Sequence, residues 1–96
     1  MSGYLLKPAD QDTTASIDWR QGYLKPGEHV DGDLGWAILT TGPGEAPSVT
    51  QQSFDADRSW ARISAGVPGG VHMLVVRAVT NLGRELERSI VLRIAA

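Results

Sequence analysis

The chain of 96 residues has room for one domain with a modest core, and its nine basic and eleven acidic side chains give a formal charge of −2. It contains no basic run, which excludes a nucleic-acid-binding surface, and no cysteine, which excludes disulfides and thiolate metal sites. The longest apolar run, MLVV at 73–76, is far too short to cross a membrane. Because the N-terminus does not resemble a signal peptide, we expect folding in the cytoplasm and no membrane contact.

The first twelve residues are polar apart from three consecutive apolar side chains, Tyr4, Leu5 and Leu6. A terminus of this composition is ordinarily loose and becomes ordered by packing on something else. We therefore expect an N-terminal arm over 1–12, followed by a β-domain over 13–96. Tyr4, Leu5 and Leu6 are candidates for contacts with a partner in an assembly.

The rest of the chain alternates apolar and polar residues with a period of two, and glycine and proline interrupt the pattern at short intervals. This pattern predicts strands joined by turns. Pro26-Gly27 fits a type II turn, and Gly32 and Gly35 indicate a bulge in the strand that follows. The polar strand near 47–54 is expected at a sheet edge, and the apolar strand near 71–81 at a sheet centre. The predicted strands cover 14–19, 30–40, 47–54, 59–66, 71–81 and 87–94.

Six or seven strands without intervening helices predict an all-β fold, namely a single-domain, antiparallel, immunoglobulin-like β-sandwich. Trp36 lies near the middle of the chain and fits a core anchor. The disulfide that usually joins the two sheets of such a domain is absent. Apolar packing must therefore hold the layers together.

A charged stretch, Arg-Glu-Leu-Glu-Arg at 84–88, follows an Asn-Leu-Gly turn before the last strand. With a period of two, Arg84 and Arg88 fall on one face and Glu85 and Glu87 on the other. A surface ion pair contributes only about 0–1 kcal/mol, and no nucleophile or oriented base lies nearby. We interpret the stretch as the solvated flank of a hairpin, whose two arginines are candidates for partner contacts.

The sequence contains no common catalytic or cofactor-binding motif. His29 lies beside a turn and should be exposed, whereas His72 lies on a core-facing strand, where we expect a partly buried, hydrogen-bonded side chain. The segment 31–33, Asp-Gly-Asp, resembles the start of a calcium loop but lacks the later ligands, so a turn or bulge is the better interpretation. We therefore predict no catalytic residue, no metal and no cofactor.

Trp60 and Arg62 should point away from Ala61 and Ile63, which alternate with them and fit the core. A tryptophan can cover about 150–250 Å², and leaving so large an apolar side chain bare is costly to solubility. Its cover is either the chain's own second sheet or N-terminal arm, or a neighbouring subunit, and a sugar- or partner-binding platform fits the same pattern. Trp60 and Arg62 are therefore candidates for partner contacts.

Several stretches together resemble a family of small tailed-phage and prophage proteins, described as fibre-tail adaptors or head-tail joining proteins. The stretches are IDW at 17–19, LKPGEHV at 24–30, GWAI at 35–38, ISAG at 63–66 and GRELERSIVLRI at 83–94. The likeness covers about residues 8–95, and its most specific element is the last stretch. The sequence departs from the family pattern at Ala65, where a second glycine is common, and at Met73, near a frequent tyrosine.

The resemblance implies an all-β virion component without catalytic residues, present in several copies and bound to tail, connector or fibre proteins. We therefore expect a non-enzymatic adaptor in the tail or neck of a phage, made in the host cytoplasm and located in the virion. The alternative is an immunoglobulin- or fibronectin-like module of a cellular protein that binds carbohydrate or protein. An enzyme ranks third.

Overall fold

The computed structural model describes residues 3–40 and 45–95 of the chain. These residues form seven strands and, within those ranges, no helix, which confirms the all-β prediction. Six strands lie within two residues of the predicted bounds, and the first strand is additional. The strands are β1 (Gly3–Lys7), β2 (Thr13–Asp18), β3 (Val30–Thr40), β4 (Ser48–Phe54), β5 (Arg58–Ser64), β6 (Val71–Thr80) and β7 (Glu85–Ile94).

The strands form two sheets, one with the order β1-β7-β6-β3 and the other with the order β2-β5-β4. The polar strand β4 lies at an edge and the apolar strand β6 lies between two neighbours, as their compositions predict. Alternate side chains of both sheets enter one apolar core, so the sheets form a two-layer sandwich. The core residues are Ala15, Ile17, Trp19, Val30, Trp36, Ala61, Ile63, Leu74, Val76, Ala78, Leu86, Ile90, Leu92 and Ile94.

Strand β1 lies at the edge of the larger sheet, and its direction corrects the prediction of a wholly antiparallel sandwich. It pairs with β7 in parallel, from Gly3 beside Ile90 to Lys7 beside Ile94, whereas the other pairs are antiparallel. The two strands come from opposite ends of the chain, so no hairpin dictates their direction. Gly3–Lys7 falls inside the segment expected as an arm, and the division into an arm over 1–12 and a domain over 13–96 stays a prediction.

Two tryptophans anchor the core in place of a disulfide. Trp19 is fully buried, and its Nε1 donates a hydrogen bond to Ser59 Oγ at 2.9 Å. The ring of Tyr23 meets the Trp19 ring edge-on, with centroids 5.1 Å apart and planes at 89°. Trp36 is only 8% exposed, as expected for a core anchor. Because each buried indole removes about 150–250 Å² from water, the pair accounts for much of the packing between the sheets.

The turn after β5 contains backbone that favours glycine. Ala65 has a φ of 69°, and Gly66 has a φ of 108°. The left-handed conformation costs an L-residue roughly 1–2 kcal/mol. A glycine at position 65, as in the family that the sequence resembles, would avoid this cost. The departure at Ala65 therefore affects local stability and leaves the fold unchanged.

Candidate functional site

Trp60 and Arg62 lie on the outer face of the smaller sheet. Both stand on β5, the central strand of that sheet, and alternate with the fully buried Ala61 and Ile63. This placement confirms the predicted outward orientation. Because Trp60 points away from the core, the chain's own second sheet does not cover it.

Polar side chains surround Trp60 on this outer face. The register places Trp60 beside Ser16 of β2 and Ser53 of β4. Nε of Arg62 donates to Asp12 Oδ2 at 3.1 Å, and about half of each of these two side chains is exposed. We call this surface the Trp60 face. An open depression of about 560 Å³ lies on it, lined by Thr14, Gln51, Gln52, Ser53, Trp60 and Arg62.

The three apolar side chains of β1 separate onto two sides of the larger sheet. Tyr4 and Leu6 lie on its outer face, beside Val91 and Arg93, and are 61% and 52% exposed. Leu5 is partly buried and packs against the core. Of the three, Tyr4 and Leu6 are therefore the exposed ones.

Arg84 lies in an internal hydrogen-bond network behind the last hairpin turn. Its Nε donates to Glu28 Oε2 at 2.8 Å, and its Nη2 donates both to Glu28 Oε1 and to the Tyr23 carbonyl, the latter at 2.7 Å. The Glu28 side chain is inaccessible to solvent. These bonds correct the interpretation of Arg84 as part of a freely solvated flank, although 37% of its side chain is exposed. The interpretation holds for Glu85 and Glu87, which are exposed.

Two turns bring these groups together. Pro26-Gly27 forms the predicted type II turn, in which Glu28 N donates to the Lys25 carbonyl at 2.9 Å and Gly27 has a φ of 78°. Glu28 Oε1 in turn accepts from Lys25 N at 2.9 Å. At the last hairpin, Thr80 N donates to the Arg84 carbonyl at 2.9 Å, and Thr80 Oγ1 donates to Glu28 Oε2 at 2.7 Å. The carboxylate thus accepts hydrogen bonds from both turns, and we call this region the Glu28 corner.

The donors of the Glu28 corner keep its carboxylate ionised. The hydrogen bond from Arg84 is the largest cause, and with the bonds from Lys25 N and Thr80 it lowers the pKa of Glu28 from 4.5 to about 2, although burial acts in the opposite direction. The same pair raises the pKa of Arg84. A carboxylate fixed by this many donors acts as a structural group.

The alternation of core-facing and outward-facing residues in β3 and β7 predicts the positions of Glu28 and Arg84, a signal that the sequence-based prediction missed. Glu28 precedes the buried Val30 by two residues, and Arg84 precedes the buried Leu86 by two residues. Continuing the two-residue alternation backwards from Val30 and from Leu86 therefore puts both charges on the core side. Opposite charges at such positions indicate an internal ion pair.

Arg88 lies in a groove at the side of the sandwich where β1 and β7 face β2. It is partly buried, and its Nε has no hydrogen-bond partner among the described residues. A buried donor without a partner is uncommon in folded proteins. The groove has a volume of about 230 Å³ and is lined by Tyr4, Leu5, Thr14, Ala15, Ser16, Ile17, Arg88 and Ile90.

The histidines and aspartates considered for catalysis or metal binding lie where a structural role accounts for them. His29 is exposed, as expected, whereas His72 is buried and neither of its ring nitrogens has a partner in the described ranges, which corrects the expectation of a hydrogen-bonded histidine. Asp33 Oδ1 accepts from Gly35 N at 2.8 Å within an irregular part of β3, which confirms the bulge. In the described parts of the chain, no three potential ligands are grouped to hold a metal ion, and no helix there is long and apolar enough to cross a membrane.

Comparison with known families decides between the possible roles. The family Gp77, described as the podophage GP4 fiber-tail adaptor protein gp77, matches residues 7–93, from the end of β1 nearly to the end of β7. The chain belongs to this family. It is therefore a structural adaptor protein of the phage tail and a component of the virion, and the match selects the fibre-tail adaptor from the two roles that the resemblance offered. A search of curated proteins found no match.

Proposed function

We propose that this chain is an immunoglobulin-like sandwich that joins tail fibres to tail or connector proteins through surface contacts, without catalysing a reaction. The family match over residues 7–93 carries the proposal. The strand order supports the immunoglobulin-like assignment, because β2-β5-β4 packs against β7-β6-β3 and β1 runs parallel to β7 at the edge. Several copies, made in the host cytoplasm, take their places in one particle.

An adaptor holds two partners at once and so needs two separate surfaces. The Trp60 face and the outer face of the larger sheet lie on opposite sides of the sandwich, which leaves room for one partner on each. Arg84 supports these contacts only indirectly, by stabilising the fold, because its guanidinium is bound to Glu28. The proposed contact residues are Tyr4 and Leu6 on the larger sheet, Trp60 and Arg62 on the smaller sheet, and Leu5 and Arg88 in the groove.

Trp60 is the proposed anchor of the contact on the smaller sheet. Tryptophan is enriched among interface residues whose truncation costs about 2 kcal/mol or more. The hydroxyl and amide groups around it, such as those of Ser53 and Gln51, offer donors and acceptors to a polar rim. The face therefore suits a protein partner that supplies a pocket for the indole.

Inactivating the gene in the phage tests the adaptor role. We expect particles that assemble tails but carry no fibres, and we expect purified wild-type protein to restore fibre attachment. A control β-sandwich of similar size from an unrelated protein should restore nothing. Mass spectrometry of the restored particles should find several copies of the chain. Particles that keep their fibres without the chain would refute the role.

A further inference from the structure

An apolar row crosses all four strands of the larger sheet on its outer face. The register aligns Tyr4 with Val91, Val91 with Met73, and Met73 with Leu39. Tyr4 and Leu39 are 61% and 54% exposed, and the two central side chains are partly exposed. The row therefore faces solvent along its whole length.

Neighbouring rows extend this apolar surface in both directions along the strands. Leu6 lies two residues beyond Tyr4 on β1 and is exposed, and Val75 lies two residues beyond Met73 on β6 and is partly exposed. We call the surface made by these residues the apolar face. Its members are Tyr4, Leu6, Leu39, Met73, Val75 and Val91.

The outer face of the smaller sheet shows how unusual this composition is. Trp60 is the one large apolar side chain that points outward from its central strand, and its cross-strand neighbours Ser16 and Ser53 are polar. A sandwich whose outer faces meet only water normally carries polar side chains there. A contiguous exposed apolar surface is a feature of many interaction sites.

A cation that pairs with no carboxylate of the described residues borders the apolar face. Arg93 lies between Leu6 of β1 and Val71 of β6 in the register, it is exposed, and no carboxylate of the described residues pairs with it. Arg77, farther along the same face, is instead paired with Glu85 at 2.5 Å. Covering an unpaired guanidinium is costly. A carboxylate on the molecule that covers the apolar face would pair with Arg93.

The size of the apolar face and the charge beside it argue against a second copy of this chain as its occupant. With strands about 4.8 Å apart and like-facing residues about 6.8 Å apart along each strand, the face measures about 14 by 14 Å, or roughly 200 Å². A stable pair of globular proteins buries about 800 Å² on each partner. A symmetric pair would also bury two copies of Arg93 against apolar side chains.

We infer that the apolar face docks a segment of another virion protein, apolar in character and carrying a carboxylate that pairs with Arg93. This inference rests on the proposed adaptor role and assigns to it the second of its two surfaces. An extended or helical segment is narrow enough to fit on a face of this size when it lies across the four strands. Its apolar side chains would cover the row from Tyr4 to Leu39, with the carboxylate at the Arg93 end.

Two single substitutions test the inference, each with a different chemistry. Leu39→Ser removes an exposed member of the row, and Arg93→Glu reverses the cation. Leu82→Ser is the matched control, because Leu82 is 59% exposed in the last turn and lies outside the apolar face. Circular dichroism first verifies that each variant is folded. Binding is then measured to tails that lack this chain and, separately, to isolated fibres.

We expect Leu39→Ser and Arg93→Glu each to weaken binding about tenfold or more in the same one of the two assays, and Leu82→Ser to leave binding unchanged within about twofold. Unchanged binding of both variants to both partners would overturn the inference and leave the adaptor role intact. Wild-type protein that binds neither tails nor fibres would overturn the adaptor role itself. Self-association of the wild type in sedimentation, abolished by Leu39→Ser, would show that a second copy occupies the face and would equally overturn the inference.

Discussion

Arg84 and Arg62 each bind a carboxylate, yet the regions around them differ in what the pair does. Glu28, the partner of Arg84, is inaccessible to solvent and accepts hydrogen bonds from two turns. Asp12, the partner of Arg62, is 43% exposed. A charge cut off from water depends on its protein partners, whereas an exposed pair is screened. The Glu28 corner therefore stabilises the fold, whereas the ion pair on the Trp60 face contributes little to it.

Glu28→Gln should cause the largest loss of stability among the changes that probe this difference. The amide keeps the shape of the side chain but removes the charge that the Arg84 guanidinium binds. We expect the midpoint of thermal unfolding at pH 7 to fall by about 10 °C or more, as measured by circular dichroism.

Glu85→Gln is the matched control, because this carboxylate is 58% exposed and paired with Arg77 on the surface. Its midpoint should fall by no more than about 3 °C. Equal losses in the two variants would show that burial of the carboxylate does not separate the two regions.

Lowering the pH should give the next largest effect on stability, and it should distinguish the buried ion pair from the exposed ones. The pKa of Glu28 is lowered from 4.5 to about 2. A carboxyl whose pKa is lower in the folded state stabilises that state above its unfolded pKa and loses this contribution as the pH falls through the folded value. Stability should therefore decline between about pH 4.5 and about pH 2, and this decline should be clearly smaller in Glu28→Gln. Denaturant unfolding across this range measures it.

An exposed pair contributes to the same decline and serves as an internal control. The hydrogen bond from Arg20 is the main cause that lowers the pKa of Asp18 from 3.8 to about 2, and both side chains are in contact with water. Its share of the decline should shrink in about 1 M salt, because salt screens exposed charges. A decline of the same size in wild type and Glu28→Gln, at both low and high salt, would contradict the role of the Glu28 corner.

Asp12→Asn should give the smallest effect. The substitution removes the carboxylate that binds Arg62, and about half of each side chain of the pair is exposed. The free energy of unfolding should change by about 0–1 kcal/mol, as measured by denaturant unfolding at neutral pH. A larger loss would mean that the Trp60 face also holds the fold together.

The orientation of Trp60 could be predicted from the sequence, whereas the pairing of Glu28 with Arg84 could not. Alternation alone places Trp60 outward and Ala61 inward, because the side-chain period of a strand is local. No local pattern joins Glu28 to Arg84, which lie 56 residues apart and meet only when two turns close. Alternation places each of these charges on the core side of its strand, but which charge pairs with which follows only from the fold.

Strand β1 was beyond prediction for a related reason. Gly3–Lys7 is five residues long and contains too few alternating positions to identify a strand. Its parallel pairing with β7 joins the two ends of the chain, which no turn or spacing specifies. The apolar face could not be predicted from the sequence either, because it forms only when β1, β7, β6 and β3 lie side by side.

Incorporation of a Trp60→Ala variant into particles that lack the chain is the most direct test of docking through an outer face. We predict that the variant stays folded, with a midpoint of unfolding within about 10 °C of wild type, and that it is no longer incorporated. Trp19→Ala is the control for a core tryptophan and should lose about 3–5 kcal/mol of stability. A Trp60→Ala variant that unfolds as Trp19→Ala does, or that is folded and incorporated normally, would contradict docking through Trp60.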